Sequence, residues 1–301
     1  MLKRLLPVTS LFALLPSLTL GAQQIAFTFD DLPSHGPLPA GETRLSVTQS
    51  VLNTLKAEHM PLVYGFVNGV RTEQEPGSEA ALQAWHAAGE PLGNHTWAHT
   101  SLHTQTPEQF MADVDRNEAL IRRIDPAGDV KWLRYPNLHE GDTVEKRRAV
   151  RAALQAKGYR IAEVTMSFGD YLWNGPYARC SAKGDTAAIQ QLHDSYLEAA
   201  STSLKTDRAL AQQVFGHDIP YVLLMHIGAF DAKMLPELIA LYRKAGVTFV
   251  SMTDALKNPA YNSDPDVADG GSFTGLMARS KQLPPAPRGA APAVDLNTVC
   301  K

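Results

Sequence analysis

Apolar and polar positions follow two alternating periods along this chain from about residue 23 onward. Short apolar runs predict seven strands, at residues 24–29, 62–67, 91–94, 130–134, 159–164, 221–225 and 247–250. Amphipathic segments with helical spacing lie between them, near residues 43–58, 78–88, 107–124, 143–157, 186–215 and 232–245. Alternation of this kind predicts an α/β fold with a parallel sheet, either open or closed into a barrel.

The long stretch 171–218 exceeds a simple connection between two strands, so we expect it to carry a helical insertion. Beyond residue 256 the sequence turns to Pro, Ala, Gly and Asp, which predicts an irregular C-terminal tail over 257–301. With 301 residues, 44% of them hydrophobic, the chain suffices for one sizeable core. We therefore expect a single main domain over 23–256.

The N-terminus has the pattern of a secretory signal peptide. Lys3 and Arg4 precede an apolar stretch that ends in the small residues Gly21 and Ala22. Interruption by prolines and a serine makes this stretch a poor membrane span. Residues 1–22 are thus expected to be cleaved, which predicts a secreted or periplasmic protein with no membrane span after cleavage.

Net charge and cysteine content limit the binding partners and the cellular compartment that we expect for this protein. A net charge of −3 gives no electrostatic reason to expect nucleic acid or an anionic membrane as partner. The two cysteines, Cys180 and Cys300, fit one disulfide in an oxidising compartment. Two free thiols are the alternative.

Adjacent carboxylates, Asp30 and Asp31, end the first predicted strand. Two neighbouring negative charges are unfavourable unless a positive group separates their roles. A divalent metal that binds one carboxylate and leaves the other as general base would do so. Since neighbouring strand residues point in different directions, we expect the two aspartates to take different roles, and either could be the base. A turn that uses both aspartates for local hydrogen bonds is the alternative.

A histidine pair, His95 and His99, follows the third predicted strand. Histidines four apart lie on the same side of a helical turn and can share one metal. Thr96 stands where a zincin would have Glu, so the general base must come from elsewhere, and the aspartate pair can supply it. One such pair also arises by chance. We interpret the next histidine in the spacing, His103, as structural.

Two more polar groups end strands. Arg134 closes the fourth, where it can hold a carboxylate, although a surface salt bridge would also explain it. His226 closes a very apolar strand and is either a satisfied core residue or a general acid. Asp170 is a partner that could orient this histidine.

Taken in order, these motifs resemble those of the polysaccharide deacetylases, the carbohydrate esterases of family 4 that share the chitooligosaccharide deacetylase homology domain. The order is Asp30-Asp31, His95-Thr-x-x-His99, Arg134-x-Pro136, a segment containing Asp170, and Leu224-x-His226. The resemblance covers about residues 24–256. It implies a distorted (β/α) barrel with seven or eight parallel strands, and a deacetylase catalytic domain over 23–256.

The resemblance also implies roles for individual residues. Asp31, His95 and His99 resemble the metal triad; Asp30 resembles the catalytic base and Arg134 the arginine that holds it; His226 resembles the catalytic acid and Asp170 its partner. Tyr171 and Leu224 fall where the family lines its acetyl pocket, and Tyr135, through its backbone N–H, and Pro136 belong to the expected substrate-binding residues. The expected cofactor is one divalent ion, zinc first, with cobalt or nickel suited to the same ligands.

Two departures from the family pattern concern the substrate groove. Residues 167–171 read Ser-Phe-Gly-Asp-Tyr, where the family commonly has Asp-x-x-Asp-Trp. Residues 136–141 read Pro-Asn-Leu-His-Glu-Gly, where the family's proline is usually followed by an aromatic residue and Gly. The expected activity is removal of N-acetyl groups from a polysaccharide such as peptidoglycan or chitooligosaccharide. An esterase acting on O-acetyl groups of xylan, an amidase for a small amide and an inactive glycan-binding homologue remain alternatives. Oligomeric state, and whether His35 borders the groove, stay open.

Overall fold

A sheet of seven parallel strands carries the polar clusters described above. The structure, a computed structural model, describes residues 23–284, 292 and 294–301. Its strands are β1 (Gln24–Leu32), β2 (Tyr64–Val67), β3 (Leu92–Asn94), β4 (Trp132–Leu133), β5 (Arg160–Ile161), β6 (Tyr221–His226) and β7 (Thr248–Phe249). They run in the order β5-β4-β3-β2-β1-β6, and β7 pairs with the start of β1. All seven predicted strands are present, several of them shorter than predicted.

The two edges of this sheet meet beyond β5. Met166 forms a parallel bridge with Leu223 of β6, and its carbonyl accepts the N–H of Leu224 at 3.0 Å. The Thr165 hydroxyl accepts the N–H of Val222 at 2.8 Å. Because these contacts curl the sheet back onto itself, the fold is a distorted (β/α) barrel with seven strands, which confirms the predicted class.

Ten α-helices accompany the strands in the described part of the chain. They are α1 (Arg44–Ala57), α2 (Val70–Gln74), α3 (Glu79–Ala87), α4 (Pro107–Ile124), α5 (Val144–Ala156), α6 (Asn174–Lys183), α7 (Thr186–Phe215), α8 (Ala229–Lys244), α9 (Met252–Ala255) and α10 (Phe273–Ser280). The six predicted helices correspond to α1, α3, α4, α5, α7 and α8. The start of α4 shows a local signal that makes such a helix predictable. Thr106 caps the helix in a reciprocal pair with Gln109, and Pro107 occupies the first turn. The predicted helical insertion is formed by α6 and α7.

The prediction of an irregular tail from residue 257 is wrong for α10. Phe273, Leu276 and Met277 are buried at helical spacing, and Phe273 and Met277 pack with Leu210 and Val214 of α7. A helix with such an apolar face is stable only against a partner, so α10 forms on the long helix rather than by its own propensity.

A disulfide joins Cys180 of α6 to Cys300, as predicted. It fixes the end of the chain to the helical insertion across 120 residues of sequence. The predicted signal peptide, residues 1–22, lies outside the described residues. Within the described residues, no helix is both long and apolar enough to cross a membrane.

The central strand β1 has eight of its nine residues buried, and it lies between β2 and β6 over most of its length. Its register pairs Asp30 with His226 at the end of β6. Likewise Asn94, at the end of β3, pairs with Leu133, the residue before Arg134. The polar ends of the strands therefore meet at one end of the barrel, where parallel α/β barrels build their sites.

Candidate active site

A cavity of about 300 Å³ opens where these strand ends converge. The residues that line it are Asp30, Asp31, His35, His95, His99, Asn137, Leu138, Ser167, Tyr171, Leu224 and His226. Most of the residues singled out from the sequence are thus gathered in one place. Arg134 and Asp170 lie directly behind the lining, in contact with Asp30 and His226 respectively.

Both aspartates of β1 face the same cavity, which regular strand geometry would not allow. Asp31 has a φ of 64°, and the pairing of β1 with β2 shifts register between Phe29 and Leu32. The expectation that the neighbours point in different directions is therefore wrong here. A left-handed residue interrupts the alternation of the strand, and aspartate tolerates this conformation better than most side chains.

Asp31, His95 and His99 form a candidate metal-binding group. Oδ1 of Asp31 lies 3.6 Å from Nε2 of His95 and 3.4 Å from Nε2 of His99. This oxygen is buried and has no hydrogen-bond partner among the described residues. An unpartnered buried carboxylate oxygen between two imidazole nitrogens fits a divalent cation, whose preferred ligands these are.

The protonation states of Asp31 and His99 also suit metal binding. Burial opposes ionisation of Asp31, but its hydrogen bond with His35 and the charges of the surrounding histidines hold its pKa well below its usual range. For His99, burial and the neighbouring His95 lower the pKa to about 4. At neutral pH the carboxylate is therefore charged and the His99 ring is neutral, as metal ligands must be.

The two histidines do not lie on a helical turn as predicted. They belong to an irregular loop after β3, with φ of 63° at Thr96 and 54° at His99, and their ring centroids are 4.8 Å apart. Buried side-chain amides replace the missing helical hydrogen bonds. Nδ2 of Asn68 donates to the carbonyls of His95 at 2.6 Å and Thr96 at 3.1 Å, while Oδ1 of Asn94 accepts the N–H of Thr96 at 2.9 Å.

Hydrogen bonding also orients the ring of His95. Its Nδ1 lies 2.7 Å from the carbonyl oxygen of Arg134, which accepts only, so Nδ1 carries the proton. In the neutral ring Nε2 is then the nitrogen with a free lone pair, and it faces Asp31. Partners of this kind fix the tautomer and direction of metal-binding histidines in general.

Arg134 holds Asp30 from behind. The guanidinium is 1% exposed, and its Nη1 donates to Oδ1 of Asp30 at 3.0 Å. Its Nε donates to the carbonyl of Ala162 at 2.6 Å, and its plane lies over the ring of Phe66 at 4.4 Å. The alternative of a surface salt bridge is therefore wrong, because this pair is buried. The other oxygen, Oδ2 of Asp30, lies 3.7 Å from Nε2 of His95.

His226 forms a separate pair with Asp170 across the cavity. Nδ1 of His226 lies 3.1 Å from Oδ1 of Asp170, and the backbone N–H of His226 donates to Oδ2 of Asp170 at 2.6 Å. Burial disfavours the imidazolium, but the charges of Asp170, Asp31 and Asp30 and the hydrogen bond with Asp170 raise the pKa of His226 to about 10. The ring is therefore protonated at neutral pH, as a general acid requires.

A buried network behind Asp170 was not predicted from the sequence. Nδ2 of Asn174 donates to Asp231 at 2.6 Å, and the Tyr196 hydroxyl donates to the other oxygen of Asp231 at 3.0 Å. Burial and the charge of Asp170 raise the pKa of Asp231 well above its usual range. These residues come from α6, α7 and α8, so no local motif could have revealed them.

The remaining expected residues divide into two groups. Tyr171 and Leu224 line the cavity, and His35 does border it, with its ring 4.7 Å from that of His226. Tyr135 and Pro136 do not line it; the Tyr135 ring is buried against Phe110 at 5.6 Å.

Two residues that were not singled out from the sequence, Asn137 and Leu138, line the cavity next to Pro136. Each has a φ of 56°, and this left-handed turn brings them to the cavity wall. The expected contribution of the Tyr135 backbone N–H stays a prediction.

Comparison with known proteins gives one family. Residues 18–162 match the family model described as polysaccharide deacetylase. Among solved structures, the chitin deacetylase from the fungal pathogen Colletotrichum lindemuthianum is 22% identical with a TM-score of 0.54, over 80% of this chain and 90% of that one. A mutant of the peptidoglycan deacetylase PdaC from Bacillus subtilis is 18% identical with a TM-score of 0.50, over 79% and 91%.

A third similar structure is a CE4 family pseudoenzyme from Bacillus anthracis, in a mutant form with restored enzymatic activity. It is 14% identical with a TM-score of 0.54, over 79% of this chain and 68% of that one. No curated protein matches the sequence. At these identities the solved structures establish a shared fold.

Proposed function

Because residues 18–162 match the polysaccharide deacetylase family model, we propose that this chain is a metal-dependent hydrolase that removes N-acetyl groups from a polysaccharide such as peptidoglycan or chitooligosaccharide. The observation that carries the proposal is the unpartnered Oδ1 of Asp31 between His95 and His99, with a buried carboxylate and a protonated histidine beside it. Hydrolysis of an acetamide needs a Lewis acid, a base and an acid, and the cavity offers a candidate for each.

Asp31, His95 and His99 would hold the ion. Two imidazoles and one carboxylate leave positions open for other ligands, which is typical of catalytic rather than structural sites. When bound, a divalent ion supplies Lewis acidity to water and to a carbonyl group. Zinc is our first choice, and cobalt or nickel would suit the same ligands.

Asp30 is the proposed general base. Nη1 of Arg134 donates to its Oδ1 and fixes the orientation of the carboxylate. Oδ2 remains on the cavity side, near His95, where it can accept a proton from an attacking water. A base that is held in place loses no entropy when the substrate arrives, which favours its use in the transition state.

His226 is the proposed general acid. Asp170 engages its Nδ1, so Nε2 is the nitrogen that can donate into the cavity. Donation to the departing nitrogen is needed because an amide anion is too basic to leave. Tyr171 and Leu224 are the proposed walls for the acetyl methyl group, since both line the cavity beside this ring.

Two alternatives share parts of this site. An esterase acting on O-acetyl groups of a xylan would need the acid less, because an alkoxide leaves more readily than an amide anion. A glycan-binding homologue without activity is the other, and a pseudoenzyme is among the structurally similar proteins. Against it, the candidate ligands, base and acid and the residues that orient them are all present in this chain.

We further propose that the protein acts outside the cytoplasm, in the periplasm or as a secreted enzyme. The N-terminal pattern at residues 1–22 and the disulfide between Cys180 and Cys300 support this location. A polysaccharide of the cell wall would be accessible there.

Acetate release from a panel of acetylated glycans tests the proposal. The panel contains N-acetylglucosamine oligomers, peptidoglycan and acetylxylan, each assayed with chelator, with added zinc and with added cobalt. We expect release from an N-acetylated glycan, loss with chelator and recovery with metal. Release from acetylxylan alone would favour the esterase, and glycan binding without any release would favour the inactive homologue.

A further inference from the structure

A second cavity adjoins the candidate active site. Its volume is about 790 Å³, against about 300 Å³ for the catalytic cavity. Tyr171 lines both, so the two spaces adjoin at this residue. The 3₁₀ turn at Asp170–Trp173 and the start of α6 form one wall of this larger groove. The other wall is formed by the C-terminal segment, which is Pro292 with residues 294–301.

The C-terminal wall is held firmly in place. Cys300 is bonded to Cys180 of α6, and Nη2 of Arg179 donates to the carbonyls of Leu296 at 3.0 Å and Val299 at 3.2 Å. Val294, Leu296 and Val299 also pack against the main hydrophobic core. These contacts fix the position of the C-terminal segment, which therefore forms an ordered wall of the groove.

Exposed apolar side chains are concentrated at this groove. Among the described residues, three large hydrophobic side chains are markedly exposed, and two of them, Tyr171 at 45% and Leu172 at 47%, are neighbours here. Arg179 and Asn297 add N–H donors to the lining. Apolar surface beside a few hydrogen-bonding groups is typical of ligand sites, and it suits sugar rings, whose faces are apolar and whose edges carry hydroxyl groups.

We propose that this groove binds the sugar units of the glycan that adjoin the unit being deacetylated. The inference rests on the proposed function, which supplies an acetylated glycan as the ligand. The Tyr171 ring lies 5.0 Å from the ring of His226, so a chain with one unit at the acid can pass directly onto Tyr171 and Leu172. The disulfide-held C-terminal segment is then part of the substrate-binding surface.

Chain-length dependence tests this assignment. The kcat/KM for acetate release is measured with N-acetylglucosamine oligomers of one, two, four and six units, and calorimetry gives the affinity for the glucosamine hexamer, the deacetylated product. In the parent protein, kcat/KM should rise with length. Leu172→Asp, and separately the double variant Cys180→Ser with Cys300→Ser, should weaken hexamer binding on the order of tenfold and remove most of the length dependence.

Leu62→Asp is the matched control. Leu62 is also an exposed leucine, at 57%, but it precedes β2 at the opposite end of the strands. Hexamer affinity and length dependence should equal those of the parent. Equal hexamer affinity in parent and Leu172→Asp, or no hexamer binding by the parent, would overturn the assignment. If the parent binds the hexamer through Leu172 but releases no acetate from any oligomer, the groove stands as a glycan site and the proposed activity fails.

Discussion

The two sides of the catalytic cavity balance their charges in opposite ways. On one side, His226 and Asp170 form a buried ion pair, and the backbone N–H of His226 donates to the same carboxylate. On the other, Asp31 faces two rings, of which His99 is neutral at neutral pH, and its Oδ1 has no hydrogen-bond partner within the described part of the chain. The acid side is complete within the protein, whereas the proposed metal side would be completed by a cation from solution.

This difference predicts which properties of the site change when one of its two sides is altered. Loss of the ion removes the positive charge that the metal side needs, but it leaves the contacts between His226 and Asp170 in place. A change on the acid side should in turn leave metal content untouched. Variants that separate metal content from rate therefore test the comparison directly.

Replacing His95 by Ala should have the largest effect. It removes a ligand whose orientation is fixed by the Arg134 carbonyl, so the purified protein should contain no stoichiometric metal. Acetate release should fall by about four orders of magnitude, because the Lewis acid is lost. Elemental analysis together with the rate checks this. His103→Ala serves as the control, and full metal occupancy in His95→Ala would refute the ligand assignment.

Asp30→Asn should separate rate from metal content. It keeps the shape and a hydrogen-bonding oxygen near Arg134 but removes the base, so the rate should fall by about two to four orders of magnitude. Metal content should stay nearly that of the parent. Asp31→Asn should instead lose the metal. If the first variant loses the metal and the second keeps it, the two aspartates have exchanged roles.

His226→Ala should affect amides more than esters. The rate for an N-acetyl substrate should fall by about two to three orders of magnitude, since the departing nitrogen needs a proton. An aryl acetate, whose leaving group needs no proton, should lose much less. The ratio of the two rates is the measurement, with metal content as the control. Equal losses on both substrates would mean that His226 does not act as an acid.

His35 should have the smallest effect, on metal affinity. Its Nδ1 lies 2.8 Å from Oδ2 of Asp31, and the two share a hydrogen bond that leaves Oδ1 for the ion. His35→Leu should weaken metal binding about 10- to 100-fold, as removal of such supporting hydrogen bonds usually does. His35→Asn retains a donor at the same position and should recover most of the affinity. Competition with a coloured chelator measures both, and indistinguishable affinities would dismiss this role.

Much of the fold was accessible from the sequence, because its signals are local. Apolar runs and amphipathic spacing are properties of consecutive residues, and they located every strand and six of the seven longest α-helices, all but α6. The short helix α10 was missed because its stability comes from contact with α7 rather than from its own sequence. Barrel closure through Met166 was equally inaccessible, since it depends on two segments far apart in the chain.

The candidate site was predictable to a similar depth. Residue types and their order along the chain pointed to the aspartates, the histidine pair, Arg134 and His226. What supports them was not predictable: Asn68 reaches the histidine loop from a different segment, and Asp231 reaches the acid side from α8. The histidine pair itself was assigned the wrong local conformation. Spacing alone cannot tell a helical turn from a loop held by buried amides.

The left-handed residue at the end of β1 has a consequence for anyone who transplants this chemistry. In a regular strand, side chains at consecutive positions diverge to opposite faces, so an Asp-Asp pair copied onto another barrel would deliver only one carboxylate to the intended site. Here the φ of 64° at Asp31 redirects the second. A designer must therefore copy the kink as well as the side chains, and a β-branched residue at position 31 would resist that kink. The backbone conformation at Asp31 is therefore as much a part of this site as its side chains.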